Sequence, residues 1–229
     1  MATHYDIVHL SEVGTTQDEA ALRHAATGRP TLVVADRQVA GRGRQGRLWE
    51  QPDRALFSSV AFRTRWDPEH RTLIPLTAGL VMCGALEERG FGGVQLKWPN
   101  DLVVAGRKVG GVLVELDGDT VTVGCGVNLF WRNPVVGAAF LYDEDPGPAV
   151  APDLANRWAA LLLAAMEAPS GQWQEEEYRS RSATLGRDIV WDEGSGRARD
   201  LGIDGALVVE TPDGMITLHA GDVHLRGHR

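Results

Sequence analysis

V-Q-L-K-W-P-N-D-L-V-V-A-G-R-K-V-G-G-V-L-V-E-L-D-G-D-T-V-T-V-G-C-G-V-N-L, residues Val94 to Leu129, is the stretch that decides the fold. Apolar, largely β-branched residues fill it, and its two clear breaks, Ala105-Gly106 and Asp117-Gly118, have the chemistry of hairpin turns. Strands joined so tightly must pair antiparallel, because a parallel connection needs a dozen residues or more to cross over. Trp98-Pro99 interrupts the first strand, since proline cannot donate to a ladder, and this presents Asn100 and Asp101 at the strand's end.

Upstream, Ala55–Phe62 and Thr31–Asp36 read as further buried strands. Thr16 followed by Glu19 fits a capping box, with Thr16 as N-cap, for a helix that stops at Gly28. Leu73, Leu76, Leu80, Cys83 and Leu86 form the stripe of a second helix ending at Gly90, with Pro75 tolerated in its first turn. Downstream, a helix is predicted from Leu154 to Glu167 with Asp153 as cap, and another from Trp173 to Arg181. From Leu185 to Arg226 the chain turns to short strands broken by Gly-Ser-Gly, Asp-Gly and Pro-Asp-Gly, the composition of a small β-barrel. The expected architecture is α+β: a mixed, largely antiparallel sheet with flanking helices over residues 1–182, then a small β-barrel over residues 183–229.

Composition narrows the function classes. The chain has 229 residues, 43% of them hydrophobic and 24% charged, as suits a soluble globular protein with a sizeable core. A formal net charge of −8 argues against a general nucleic-acid binder, whose affinity rests on Lys and Arg neutralising phosphates. Cys83 and Cys125 both sit in apolar stretches and read as buried thiols, and the seven histidines show no metal-ligand spacing. No segment reaches the roughly 18 consecutive apolar residues of a membrane span, and the N-terminus lacks a signal-peptide pattern. A cytoplasmic protein with neither nucleic-acid nor membrane partners is expected.

Three segments carry candidate chemistry. Gly41–Arg47, G-R-G-R-Q-G-R, concentrates three arginines and three glycines in an acidic chain. Glycine lets backbone approach a ligand closely, and guanidinium forks match phosphate and carboxylate oxygens. Such a loop can fold over a polyphosphate, or it can be a solvated basic loop. It has neither the G-K-[ST] ending of a Walker A loop nor a G-x-G-x-x-G turn. In the second segment, Lys97–Leu116, Asp101 suits magnesium binding or the guidance of an incoming amine, and Lys108 is a point charge for a carboxylate or phosphate. Gly110 and Gly111 leave room for a flat ligand. The plainer alternatives are a turn-forming aspartate and a strand-edge lysine. In the third, Gly124–Leu129, the glycines admit either a close neighbour or a bulge, and Asn128 is a polar group in an apolar strand.

In this order, G-R-G-R-x-G-R, K-W-P-N-D-L, a G-R-K-x-x-G-x-L-x-E strand and G-x-G-V-N, the motifs resemble those of biotin–protein ligases, and the resemblance runs from Thr15 to about Arg226. It implies a short form without an N-terminal DNA-binding domain, and a C-terminal barrel of the SH3-like kind. It implies that Thr15, Thr16 and Gln17 stand where the family has a Ser-Thr-Asn biotin turn, a departure at the first and third positions. Gln38 then meets the ureido end of biotin, Arg42, Gly43 and Arg44 cover biotin and its adenylate, and Gly111 and Leu113 offer backbone contacts to the bicyclic ring. Gln45 stands where some relatives have Arg. Arg44, Arg47, Trp49 and Asn128 fall to the nucleotide, Trp49 by stacking on adenine. Lys108, Asp101 and Arg44 are the candidate catalytic residues, with Asp101 also the candidate Mg²⁺ ligand.

The implied reaction consumes ATP and biotin with Mg²⁺, forms biotinyl-5′-AMP, and transfers biotin to a lysine on the biotin carboxyl carrier domain of an acyl-CoA or pyruvate carboxylase. Two alternatives stay open: a lipoate-type protein ligase of the same fold, and a non-catalytic biotin-sensing regulator. Monomer and homodimer are both compatible with the sequence. Three like charges in a glycine-rich loop repel one another, so the loop is expected to be mobile without an anionic ligand.

Overall fold

The computed structural model describes residues 4–219 and 221–225; the outer ends of the two expected units, 1–3 and 226–229, and residue 220 lie outside the described residues. The chain enters through β1 (Asp6–Leu10) and α1 (Thr16–Thr27) and returns along β2 (Thr31–Ala35), parallel to β1. The helix makes that parallel crossover possible. Its N-cap is Thr15 rather than Thr16: Thr15 is extended, and its Oγ1 accepts the Gln17 N–H at 3.3 Å. Glu19, expected to close a capping box, pairs with Arg23 one turn on. Gly28 ends the helix at φ 68°, a left-handed position that glycine adopts without a side-chain clash.

β3 (Arg54–Arg63) runs antiparallel to β2, and a 3-10 stretch over Pro68–Leu73 leads into α2 (Ile74–Glu87), where Pro75 lies in the first turn as predicted. β4 (Gln95–Lys97), β5 (Asp101–Val104), β6 (Arg107–Asp117) and β7 (Thr120–Phe130) follow as successive antiparallel partners. Ala105 and Gly106 both have positive φ, 48° and 75°, which matches the right-handed twist of the flanking strands. The second turn falls one residue later than predicted, on Gly118 and Asp119. The completed sheet has the order β1-β2-β3-β7-β6-β5-β4.

Strand periodicity divides this sheet into a dry face and a working face. On β7, Val121, Val123, Cys125, Val127 and Leu129 point into the main core with Leu76 and Leu80 of α2 and Leu154 and Trp158 of α3 (Val150–Met166). α3 starts earlier than predicted: Asp153 lies inside its first turn, and Ala149 takes the cap position without a side-chain bond. Asp153 still favours the helix there, because the N-terminal end of the dipole is positive. On the opposite face α1 covers only one corner, through Ala20 against Val33 and Ala61. The remainder of that face, over β6 and β7, borders a cavity.

After α4 (Glu175–Arg181) come β8 (Asp188–Trp191), β9 (Gly194–Leu201), β10 (Leu207–Thr211), β11 (Gly214–Leu218) and β12 (His224–Leu225), an antiparallel sheet of order β11-β10-β9-β8-β12. It is fastened to the turn between β4 and β5. The Trp98 backbone N–H donates to Thr184 Oγ1 and its Nε1 to the Gly205 carbonyl, each at 2.9 Å. Trp98 is buried, and Ile189, Leu207, Val209 and Val223 belong to the same core. Removing so large a buried side chain costs about 3–5 kcal/mol. Among the described residues no helix is long and apolar enough to cross a membrane.

Candidate active site

The working face holds a cavity of about 250 Å³ between β6, β7, the start of α1 and the Gly41–Arg47 loop. Every candidate site residue from the sequence lines it except Asn128 and Gly110; Gly110, expected to leave room for a flat ligand, turns to the core, where a β-carbon would meet the Gly126 carbonyl and Leu102. Asn128 is 5% exposed, and its Nδ2 donates to the Ala139 carbonyl at 2.9 Å. Its work is indirect: Ala139 N–H donates to Lys108 O at 2.6 Å and Lys108 N–H to Gly137 O at 2.9 Å, so Asn128 anchors a segment that buttresses the Lys108 backbone.

Glycine makes the floor. Gly111 of β6 and Gly126 of β7 are register partners, as are Leu113 and Gly124, and this part of the ladder is regular, with no bulge at Gly124–Gly126. The glycines instead admit close neighbours. A β-carbon on Gly126 would lie 2.8 Å from Trp49 Cζ2, and one on Gly124 would lie 2.8 Å from Gln17 Oε1. Trp49 therefore rests on the same glycine floor that suits a flat ligand. Among the described residues, Gln17 Oε1 and Trp49 Nε1 are buried with no hydrogen-bond partner. Buried polar atoms are rarely left so, and an acceptor and a donor on two cavity-lining residues fit a polar ring ligand.

The end of the cavity beside α1 is polar and tightly wired. Gln38 Oε1 accepts both the Thr16 N–H at 2.7 Å and the Thr16 hydroxyl at 3.0 Å, and that hydroxyl lies 2.7 Å from Ser59 Oγ. Thr15, Thr16, Gln17 and Gln38 are all buried. The longer amide at Gln17 reaches across the sheet, where its Nε2 donates to Glu115 at 3.1 Å.

A register shift aims Lys108. Leu102 pairs with Gly110 and Val103 with Lys108, so Val109 is the extra residue. In a regular strand, positions three apart fall on opposite faces; the bulge puts Lys108 and Gly111 on the same one. A β-carbon on Gly111 would sit 3.4 Å from Lys108 Nζ. Lys108 Nζ is 2.6 Å from Asp101 Oδ1 and 5.3 Å from the centre of the Trp49 ring, while Asp101 Oδ2 lies 3.8 Å from Lys97 Nζ. Asp101, expected as a magnesium ligand, is thus already flanked by two ammonium groups. Among the described residues no three His, Cys, Asp or Glu side chains cluster to hold a metal ion.

The arginine loop forms a roof, and a carboxylate answers each of its charges. Arg42 grips Asp18 with two bonds of 2.8 and 2.6 Å and reaches Glu115 at 3.3 Å. Asp18 holds the Arg42 guanidinium above its ordinary pKa, and Arg42 in turn holds the Asp18 carboxyl below the usual carboxylate range. Arg44 donates to Asn100 Oδ1 at 3.0 Å and lies 3.6 Å from Asp222, which also pairs with Arg47. The repulsion that predicted a mobile loop is offset within the protein, by partners remote in sequence. Asn100, Glu115, Ser59, Lys97 and Asp222 were not among the candidate residues. Lys97 and Asn100 stand inside the K-W-P-N-D-L motif, whereas nothing local marks Asp222.

The fold and the cavity are those of a two-unit α+β protein with a cationic site, and the model of the Biotin/lipoate A/B protein ligase family matches residues 11–128. The chain belongs to this family. It is 32% identical over 242 residues to the biotin--[acetyl-CoA-carboxylase] ligase of Mycobacterium tuberculosis, which covers 95% of this chain and 88% of that protein. With the bifunctional ligase/repressor BirA of Escherichia coli it shares 33% identity over 214 residues, 84% of this chain, but it spans only 65% of that protein's length. The structure of the Aquifex aeolicus biotin protein ligase in complex with biotin and ATP superimposes with a TM-score of 0.80 at 29% identity, over 96% of this chain and 98% of that one.

Proposed function

We infer that this protein is a biotin--[biotin carboxyl-carrier protein] ligase, which activates biotin with ATP and transfers it to a carrier lysine. The observation that carries the inference is the convergence, in one cavity, of Thr15–Gln17, Gln38, the arginine loop, Lys108 and the glycine floor. Arg42, Arg44, Arg47, Lys97 and Lys108 line it against Asp101 and Asp222, a cationic setting in a chain of net charge −8. Two anions, a carboxylate and a polyphosphate, must meet in such a place, and fixed cations offset their repulsion.

In the first step a biotin carboxylate oxygen bonds to the α-phosphorus of ATP and the bond to the β-phosphate oxygen breaks, releasing pyrophosphate. Lys108, on the cavity wall between Asp101 and the Trp49 ring, supplies a charge that would offset the repulsion between the two anions. In the second step the carrier amine attacks the carbonyl carbon of the mixed anhydride and AMP leaves with the bonding electrons. The amine must shed a proton, and Asp101, 21% exposed beside Lys108, is a carboxylate available to accept it. Asp101, flanked by the ammonium groups of Lys97 and Lys108, does not suit a protein-held magnesium ion, and a magnesium ion would be held by the nucleotide's own phosphates.

The proposed division is a ligase domain over residues 1–182 and an SH3-like barrel over residues 183–229, supported by the change from a mixed sheet to a small antiparallel one. The cytoplasm is the proposed setting, because buried unpaired thiols at Cys83 and Cys125 and the use of ATP suit it. The test is biotin-dependent exchange of labelled pyrophosphate into ATP, followed by labelling of an isolated carrier domain. Exchange driven by lipoate and not by biotin moves the chain to the lipoate branch of the family. Biotin binding without exchange makes it a sensor.

A further inference from the structure

Asp222 lies on the segment joining β11 to β12 of the small C-terminal sheet, yet it lines the cavity of the large one. Its carboxylate is shared by two guanidinium groups of the roof: Oδ1 is 3.6 Å from Arg44 Nη1, and Oδ2 accepts from Arg47 Nη2. The preceding Gly221 carbonyl accepts from Arg44 Nη1 at 3.3 Å. Arg44 is further held by Asn100 Oδ1 and is 21% exposed, whereas Arg47 is 59% exposed.

We propose that Asp222 is a positioning residue for the nucleotide, setting Arg44 and Arg47 over the cavity before the polyphosphate arrives. This rests on the ligase reading above and extends it to a part of the chain that carries none of the family's motifs. A roof with three glycines in seven residues loses about 1–2 kcal/mol of backbone entropy for each residue it orders. If the nucleotide had to order it alone, that loss would weaken nucleotide binding. Asp222 orders it beforehand and supplies the charge that lets two cations lie side by side. A polyphosphate carries more charge than one carboxylate, so the exposed Arg47 can turn to it. Arg44 stays in place on two uncharged acceptors, Asn100 Oδ1 and Gly221 O. Biotin, bound at the other end among Thr16, Gln38 and the glycines, does not draw on this latch.

The test compares wild type with Asp222→Ala, Asp222→Asn and Asp222→Glu in the full chain. In the ligand-free protein, tryptic cleavage after Arg44 and Arg47 should be several-fold faster in the Ala and Asn variants and near wild type in the Glu variant. In biotin-dependent pyrophosphate exchange, KM for ATP should rise about tenfold in the Ala and Asn variants, as expected for losing a hydrogen bond between charged groups. KM for biotin and kcat should stay within about twofold, and Glu should restore KM for ATP. Unchanged cleavage with unchanged KM for ATP overturns the proposal. So does a joint loss of kcat and both KM values alongside a lower melting temperature, which is the mark of a merely structural residue. Absence of exchange in the wild type overturns the ligase reading instead, and the cleavage comparison still decides whether Asp222 holds the loop.

Discussion

The cavity floor on β6 and β7 is held by backbone ladders between neighbouring strands, whereas its roof, residues 41–47, has a few backbone bonds of its own and is tied to the rest of the chain by ion pairs to three separate parts. In the floor, Gly111 faces Gly126 because the register requires it, and no charge takes part. In the roof, Arg42 depends on Asp18 and Glu115, and Arg44 and Arg47 depend on Asp222. A backbone ladder is local, short-ranged and indifferent to salt. Half-exposed ion pairs are weak singly, screened by salt and open to exchange with a ligand anion. The contrast suits the proposed ligase, whose floor would keep a fixed shape for a ring system while the roof exchanges its partners for a ligand anion.

The largest expected effect lies where the floor carries charge. Lys108→Ala should slow biotin-dependent exchange by about 10²–10³-fold, the usual consequence of removing a preorganised charge-stabilising group. Its melting temperature should stay close to wild type, because the side chain is 44% exposed. An unchanged exchange rate would make Lys108 a surface lysine, and the floor a purely geometric device.

Next comes the floor's packing. A β-carbon on Gly110 would meet the Gly126 carbonyl at 2.7 Å and Leu102 Cδ1 at 2.9 Å, backbone and core that cannot easily yield. Gly110→Ala should lose about 1–3 kcal/mol in chemical denaturation. For Gly126→Ala the nearest atoms are those of the Trp49 ring; it should lose little stability and weaken ligand binding instead, read by titration calorimetry. Equal stability losses in both variants would break the distinction between ladder packing and ligand cradle.

The roof should respond more mildly and should respond to salt. Asp18→Asn removes the main partner of Arg42 and should cost about 0.2–1 kcal/mol, shrinking further at high salt. The Asp18 carboxyl is held below its usual range, chiefly by its hydrogen bond to Arg42. Its contribution is therefore fully present above the unfolded value near 3.9. It fades as pH falls through the lower folded value, so the wild type and variant should converge in stability under strongly acid conditions. A difference that survives both acid and salt would show that Asp18 acts by packing.

The smallest effect concerns two thiols in the core behind the floor, one on α2 and one on the dry face of β7. Burial pushes the Cys83 thiol up to about 12 and raises Cys125 as well. Neither should react with iodoacetamide at pH 8 until the protein is unfolded, as mass spectrometry will show. Fast labelling of native Cys125 would mean that β7 opens, and the floor would no longer be the rigid wall.

Hairpin turns, buried strands and the Pro75 helix are legible in the sequence because each follows from neighbours a few residues apart. The same holds for the K-W-P-N-D-L turn, the glycine pairs and the arginine cluster. Boundaries slipped where neighbouring residues could serve equally: Thr15 and Thr16 can both cap a helix, and Asp153 favours a first turn as readily as a cap. Asn128 was misleading for another reason. A polar side chain in an apolar strand needs a partner, and only the path of residues 137–139 shows that this partner is the Ala139 carbonyl.

By itself, then, the sequence determined a run of antiparallel strands, two segments rich in glycine and a local concentration of positive charge, all properties of short stretches. Tertiary structure decided how they act together. The extra residue at Val109 turns Lys108 onto the face of Gly111, a choice between two strand faces that side-chain chemistry does not encode. Asp222 becomes the partner of Arg44 and Arg47 only because the small sheet packs beside the large one, through contacts that include those of Trp98 to Thr184 and Gly205. Composition counts charges, but Coulomb attraction depends on distance in space, and folding sets that distance.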